Sequence, residues 1–122
     1  MLNNQLLHIK RGTYLIIRTD GREERVEKPP TLATIANEIG ADTLDFVSVG
    51  RAARNDIIMA VDDFGWETEA VDHGGGRVEL RPTKARKPVN EKATILYHAV
   101  CVSGTTHQIV GDVALWHDGD SR

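Results

Sequence analysis

The sequence predicts an α+β fold, with an antiparallel or mixed sheet of about five strands and two helices on one face. Short apolar runs rich in strand-forming residues recur along the chain, and two other segments show the spacing of amphipathic helices. The two kinds of segment are grouped rather than strictly alternating. The 122 residues suit a single domain over 1–122, in which we expect 1–12 and 117–122 to be loosely ordered.

A hairpin is predicted for residues 13–28. Residues 14–17 (Tyr-Leu-Ile-Ile) form a short run of strand formers, and Asp20-Gly21 is a favoured two-residue turn, which needs positive φ. The return strand 22–28 is almost entirely charged. We therefore expect it at an edge of the sheet, facing water.

Both helices are predicted from an N-cap residue followed by regularly spaced apolar residues. The first begins after Thr31 and ends at Gly40, and its buried face consists of Leu32, Ile35, Ala36 and Ile39. The second begins after Asn90 and ends at Ser103-Gly104. Its buried stripe consists of Ala93, Leu96, Tyr97 and Val100.

Further strands are predicted at 44–49, 57–61 and 108–116, with a weaker one at 66–71. Between them, residues 72–87 are the least structured by composition, because three glycines follow His73. We expect a flexible loop there. It forms a local basic patch in an acidic chain, through Arg77, Arg81, Lys84, Arg86 and Lys87.

The composition of the chain indicates its cellular compartment and the classes of partner it can bind. The net charge of −3 gives no general attraction to nucleic acid or to an anionic membrane, and the basic loop lacks interleaved aromatic residues. The single cysteine, Cys101, allows no intramolecular disulfide and fits a reducing compartment. No run approaches the ~20 apolar residues of a membrane helix. We therefore expect a cytoplasmic protein.

The usual catalytic and metal-binding motifs are missing from the sequence. There is no CxxC, HxxxH or HExxH pattern, and no acidic cluster has the spacing of a calcium loop, so no metal or cofactor is expected. His-Gly-Gly-Gly at 73–76 lacks the GxSxG partner of an esterase. Cys101, one turn from His98, is interpreted as a small buried hydrophobe. We therefore expect no enzymatic activity.

Phosphate binding is the chemistry that the polar connections favour. Two arginines lie between predicted strands, an asparagine lies at a helix N-terminus, and a polar segment precedes the last strand. The predicted ligand site consists of Arg51, Arg54, Asn90, Thr105, Thr106 and His107. A plainer interpretation stays open, in which Asn90 only caps its helix and the arginines are solvated.

The geometry of the second helix bears on this site. If that helix packs antiparallel to the last strand, His107 lies near its C-terminus and away from Asn90. The site would then depend on a neighbouring subunit, so we also consider a homo-oligomer.

The C-terminal third resembles a known family. The stretch KPVNEKATILYHAVCVSGTTHQIVGDVALWHD is similar to the signature of a small-protein family, domain of unknown function 3846, whose members are frequent in phages and prophages. The shared pattern is Asn90, Ala93-Thr94, Leu96 and Ile-Val-Gly-Asp-Val at 109–113. Residues 57–65 (IIMAVDDFG) also resemble the family's strand and acidic-Gly turn, so the resemblance covers roughly residues 13–117.

A weaker similarity is to phage sponge proteins that sequester cyclic ADP-ribose-type signals of the Thoeris defence system. It implies binding of phosphates without chemistry. Only Asn90 and the loop 105–107 match.

Three functional hypotheses follow. The first is a phage-type counter-defence protein that captures a small phosphorylated or nucleotide ligand. The second is an inhibitor that binds a basic host surface through either its acidic hairpin (Glu23, Glu24, Glu27) or its Asp62-Asp63 turn. The third is a small hydrolase that uses Cys101 and a histidine.

Overall fold

The structure is a computed structural model that describes residues 9–49, 57–100 and 107–120. In chain order its elements are β1 (Tyr14–Ile17), β2 (Glu23–Val26), α1 (Leu32–Ile39), β3 (Leu44–Ser48), β4 (Ile57–Asp62), β5 (Trp66–Gly74), β6 (Arg77–Ala85), α2 (Glu91–His98) and β7 (Val113–His117). The predicted α+β class is confirmed.

The main sheet contains five strands in the order β2-β1-β7-β4-β3, and every neighbouring pair is antiparallel. The last strand, β7, lies in the centre, where Leu115 pairs with Leu15 on one side and Met59 on the other. As predicted, the charged strand β2 lies at an edge. All four residues of β1 are buried, because both faces of the sheet are covered.

The two helices lie on opposite faces of this sheet, so the expectation of two helices on one face is wrong. Alternate residues of β1 and β7 enter two separate core clusters. The first cluster joins Leu15, Ile17, Val113 and Leu115 to Ala93 and Leu96 of α2. The second joins Tyr14, Ile16, Ala114 and Trp116 to Ile35 and Ile39 of α1. Central strands that are apolar at every position must be covered on both sides.

Both predicted helix starts are confirmed. The Thr31 hydroxyl accepts a hydrogen bond from the Thr34 backbone N–H at 3.1 Å, and Gly40 ends α1 with φ +70°. The buried faces are narrower than predicted. In α1 only Ile35 and Ile39 are buried, and Leu32 is exposed; in α2 the buried residues are Ala93, Thr94 and Leu96.

Residues 72–87, expected to be a flexible loop, instead complete a long hairpin. Strands β5 and β6 pair antiparallel over nine residues each, and Gly74, Gly75 and Gly76 supply the positive φ angles of its tip. We call residues 66–85 the arm. In residues 66–72 and 78–82 the residue type changes at every second position, which is the strand period of two. This pattern determines the structure here, although the composition favours a loop.

The described parts of both terminal segments are held by specific contacts. Ile9 is buried, and the Asp120 carboxylate accepts hydrogen bonds from the Gly12 backbone N–H at 2.9 Å and from Arg11 at 3.1 Å. The last strand is also shorter than predicted. Val110 forms an isolated bridge with Val89, and Gly111 at φ +79° separates it from β7.

Candidate functional site

Two of the six predicted ligand-binding residues can be placed. Asn90 and His107 lie in the described part of the chain. The other four, Arg51, Arg54, Thr105 and Thr106, lie outside the described residues, as does Cys101.

Asn90 is buried, and its side chain is saturated by contacts within the chain. Its amide nitrogen donates to the carbonyl oxygens of Ile17 and Gly111, each at 3.0 Å. Its oxygen accepts from the Ala93 backbone N–H at 3.1 Å. The residue therefore ties the start of α2 to β1 and to the turn before β7, and both amide donors are used internally.

The segment 107–111 runs back along α2 in the antiparallel direction. The His98 ring contacts the carbonyl oxygen of His107, and the Ile109 backbone N–H donates to the Thr94 hydroxyl at 2.9 Å. The Asn90 backbone N–H then donates to the carbonyl oxygen of Ile109 at 2.8 Å. His107 and Asn90 therefore lie at opposite ends of an eight-residue helix, which spans about 12 Å.

An aromatic–histidine cluster surrounds His107 and consists of Trp66, Tyr97, His98 and His107. The exposed His107 ring lies 5.9 Å from the Trp66 ring, tilted by 40°, and 6.0 Å from Tyr97 in an edge-on contact. The Trp66 indole N–H donates to the carbonyl oxygen of Gln108 at 3.2 Å. The cluster thus presents adjoining, partly exposed rings at the end of α2 where β5 begins.

Of this cluster, the sequence places only His107 in the predicted ligand site, and it considers His98 only beside Cys101. It assigned Trp66 to a weak strand and Tyr97 to the buried stripe of a helix. The ring contacts join residues that are far apart in sequence, which periodicity does not reveal. Aromatic residues make up only 5% of the chain, and two of them lie in this cluster. Their rarity is the one signal in the sequence that could have pointed to them.

The acidic residues proposed to engage a host protein are mostly paired within the chain. Glu23 lies 3.0 Å from Lys92, Glu24 lies 2.9 Å from Arg18, and Asp62 lies 2.7 Å from Lys87. This pairing weakens the hypothesis of an acidic inhibitor surface.

The contacts of Arg18 explain why Gly111-Asp112 interrupt the apolar sequence before the last strand. Its guanidinium donates two hydrogen bonds to the Glu24 carboxylate. It also donates to the backbone carbonyl and the carboxylate of Glu38, and to the Asp112 carboxylate at 3.0 Å. The hydrogen bonds with Glu24, and then with Asp112, raise the pKa of Arg18, while the Arg18 bond lowers the pKa of Glu24. These contacts join β1, β2, α1 and the turn before β7, so Asp112 has a structural role.

Among the described residues no group of three metal-ligating side chains is placed to hold an ion. Within the same ranges, no helix is long and apolar enough to cross a membrane. No family model, no curated protein and no solved structure matches the chain. The similarity to phage families therefore stays a prediction.

Proposed function

We propose that this protein acts by binding rather than by catalysis, and that the aromatic–histidine cluster holds the flat ring of a nucleotide-like ligand. The supporting observation is the exposed His107 ring between Trp66 and Tyr97. Stacking on aromatic side chains is favourable for every nucleobase and needs no sequence-specific hydrogen bonds. An imidazole beside the stack adds a hydrogen-bonding group.

We assign the phosphate of such a ligand to the predicted residues Arg51, Arg54, Thr105 and Thr106, which lie outside the described residues. Thr105 and Thr106 directly precede His107 in the chain. Residues 50–56, which carry Arg51 and Arg54, are flanked by Val49 and Ile57, and these two belong to the core cluster against which Tyr97 packs. Arginine forks suit phosphate oxygens. Asn90 does not belong to this proposed site, because its side chain is engaged at the other end of the helix.

In this proposal the protein is a phage-type sponge that sequesters a cyclic nucleotide or another phosphorylated signal in the host cytoplasm. No bond is made or broken in the ligand. Release of the intact ligand on denaturation is therefore the expected behaviour.

Tryptophan fluorescence tests the location of the site. The chain has two tryptophans, and Trp116 is 2% exposed in the core, so Trp66 is the residue expected to respond to a stacked base. We would titrate the protein with cyclic and linear adenine nucleotides and with inorganic phosphate. We expect a saturable change with at least one nucleotide, absent in Trp66→Phe and at least tenfold weaker in His107→Ala.

His73→Ala is the matched control, because His73 is an exposed histidine on the arm and outside the cluster. Because Trp66→Phe removes the reporting fluorophore, its affinity is measured by isothermal titration calorimetry; equal affinity in the wild type, Trp66→Phe and His107→Ala would show that the site lies elsewhere. Native mass spectrometry of protein purified from phage-challenged cells would identify a natural ligand. Release of intact phosphorylated metabolite supports sequestration, whereas recovery of a hydrolysed product would refute it.

A further inference from the structure

The two edges of the main sheet differ in charge. At one edge, β2 carries Glu23, Glu24 and Arg25, and charged side chains on an edge strand discourage pairing with another chain. At the other edge, β3 has the sequence Leu-Asp-Phe-Val-Ser, in which Asp45 is the only charged residue. Among the described residues, no strand pairs with the outer side of β3. An edge strand with so little charge is a template for another strand.

The register of β3 shows which of its backbone groups face outward. The Val49 backbone N–H donates to the carbonyl oxygen of Ile57 at 2.8 Å, so the backbone groups of Val49 face β4. Residues of an antiparallel strand alternate between bonded and non-bonded positions toward one neighbour. The backbone N–H and C=O groups of Leu44, Phe46 and Ser48 therefore point away from the sheet.

Asp45 occupies the middle one of these outward N–H groups. Its carboxylate oxygen Oδ1 accepts a hydrogen bond from the Phe46 backbone N–H at 2.9 Å. The Phe46 side chain is 43% exposed and contacts the Trp116 ring edge-on at 6.2 Å, so an apolar ring adjoins the outward edge. The N–H that a further strand would need most is thus already bonded within the chain.

We propose that Asp45 blocks the open edge of the main sheet against pairing with β3 of a second copy of this chain. If two β3 strands paired antiparallel about a two-fold axis through their midpoints, Phe46 of one copy would lie opposite Phe46 of the other. Both central hydrogen bonds would then be donated by the Phe46 backbone N–H groups. Because the Asp45 carboxylate already holds that N–H, these two bonds cannot form without breaking the internal ones.

Sedimentation velocity tests the block with single variants. Asp45→Ala frees the N–H, so it should associate at concentrations about tenfold or more below any at which the wild type does, because two hydrogen bonds are gained. Asp42→Ala is the matched control, because Asp42 is an exposed aspartate just before β3. Asp45→Asn keeps an oxygen acceptor and should behave like the wild type.

Two results would overturn the proposal at this stage. One is an Asp45→Ala variant that sediments like the wild type. The other is an Asp45→Asn variant that associates like Asp45→Ala, because the charge of Asp45, and not its hydrogen bond, would then keep the edge closed.

Hydrogen exchange locates the contact between copies. In associated Asp45→Ala, exchange in residues 44–48 should slow as the protein concentration rises, and association without this protection would refute pairing through β3. Adding Ser48→Pro to Asp45→Ala should reverse the association, because proline removes an outward N–H and no bond to β4. A double variant that is folded by circular dichroism and still associates like Asp45→Ala would equally contradict the proposal.

Discussion

The side-chain amide nitrogen of Asn90 lies 3.0 Å from the carbonyl oxygen of Ile17, which is 73 positions earlier in the chain. The same nitrogen also donates to the carbonyl oxygen of Gly111, so the N-cap of α2 is at once a tertiary contact between three segments. A residue type that caps helices locally here also holds the helix onto the sheet. This arrangement distinguishes Asn90 from the cap of α1.

We expect Asn90→Ala to lower the free energy of unfolding by about 3 kcal/mol, because the cap is lost and two buried carbonyl oxygens lose their donor. Thr31→Ala removes a cap without such tertiary bonds and should cost about 1 kcal/mol. Asn90→Asp keeps the cap acceptor but cannot donate, so it should resemble Asn90→Ala. Urea denaturation measures all three. Equal costs for Asn90→Ala and Thr31→Ala would contradict the tertiary role.

Tyr14→Phe should leave stability at neutral pH unchanged or slightly higher. The Tyr14 hydroxyl is buried and has no hydrogen-bond partner among the described residues, so its removal relieves an unsatisfied group.

Tyr14 should also make the stability of the fold depend on pH in the alkaline range. Burial, and secondarily Glu38, raise the pKa of Tyr14 above its ordinary value of 10.0. The folded protein therefore keeps a proton that the unfolded chain releases, and stability falls as the pH rises above about 10. Tyr14→Phe should reduce this fall. Urea midpoints from pH 8 to 11 provide the comparison, and indistinguishable slopes for the wild type and Tyr14→Phe would count against it.

Gly111 and Gly12 have the same φ of +79° but different surroundings. A Cβ on Gly111 would lie 2.8 Å from Cδ of Lys87, whereas a Cβ on Gly12 meets nothing within 4 Å. Lys87 is itself held by Asp62 at 2.7 Å and by the carbonyl oxygen of Gly40 at 2.8 Å. Gly12→Ala should therefore cost about 1 kcal/mol for the backbone alone. Gly111→Ala should cost clearly more in thermal denaturation, and a smaller cost would mean that Lys87 moves freely.

Glu24 should make stability sensitive to acid. Its hydrogen bond with Arg18 lowers the pKa of Glu24 below the ordinary value of 4.5. The stabilisation is therefore present above pH 4.5 and is lost as the pH falls through the lowered value, because the folded state must then bind the proton. Glu24→Gln should flatten the stability profile between pH 5 and 2. Glu27→Gln is the control, because Glu27 pairs only loosely, at 3.5 Å, with an exposed Lys10. Equal acid profiles for the wild type and Glu24→Gln would refute the coupling.

Local signals in the sequence predicted local structure well. Thr31 and Gly40 bound α1 as their chemistry requires, Asn90 caps α2, and the charged strand beside the Asp20-Gly21 turn lies at an edge. Each of these features depends on a few adjacent residues.

Features that depend on distant residues were predicted poorly. Residues 14–17 and 113–116 are apolar at successive positions, which is typical of strands covered on both faces, yet both helices were expected on one face. In the arm, the glycine-rich composition of residues 72–87 predicts a loop, whereas the strand period of two in the flanking residues matches the hairpin that forms. Asn90 and His107 were grouped by chemistry, although the run of 107–111 along α2 keeps them at opposite ends of that helix.

The central position of β7 has a consequence for biogenesis. The strands made earlier form two separate pairs, β2 with β1 and β3 with β4, and only β7 joins them. While the ribosome still holds residues 113–117, these pairs have no common sheet and their apolar edges stay open. The main sheet can therefore be completed only after residues 113–117 have left the ribosome, however early the other strands emerge.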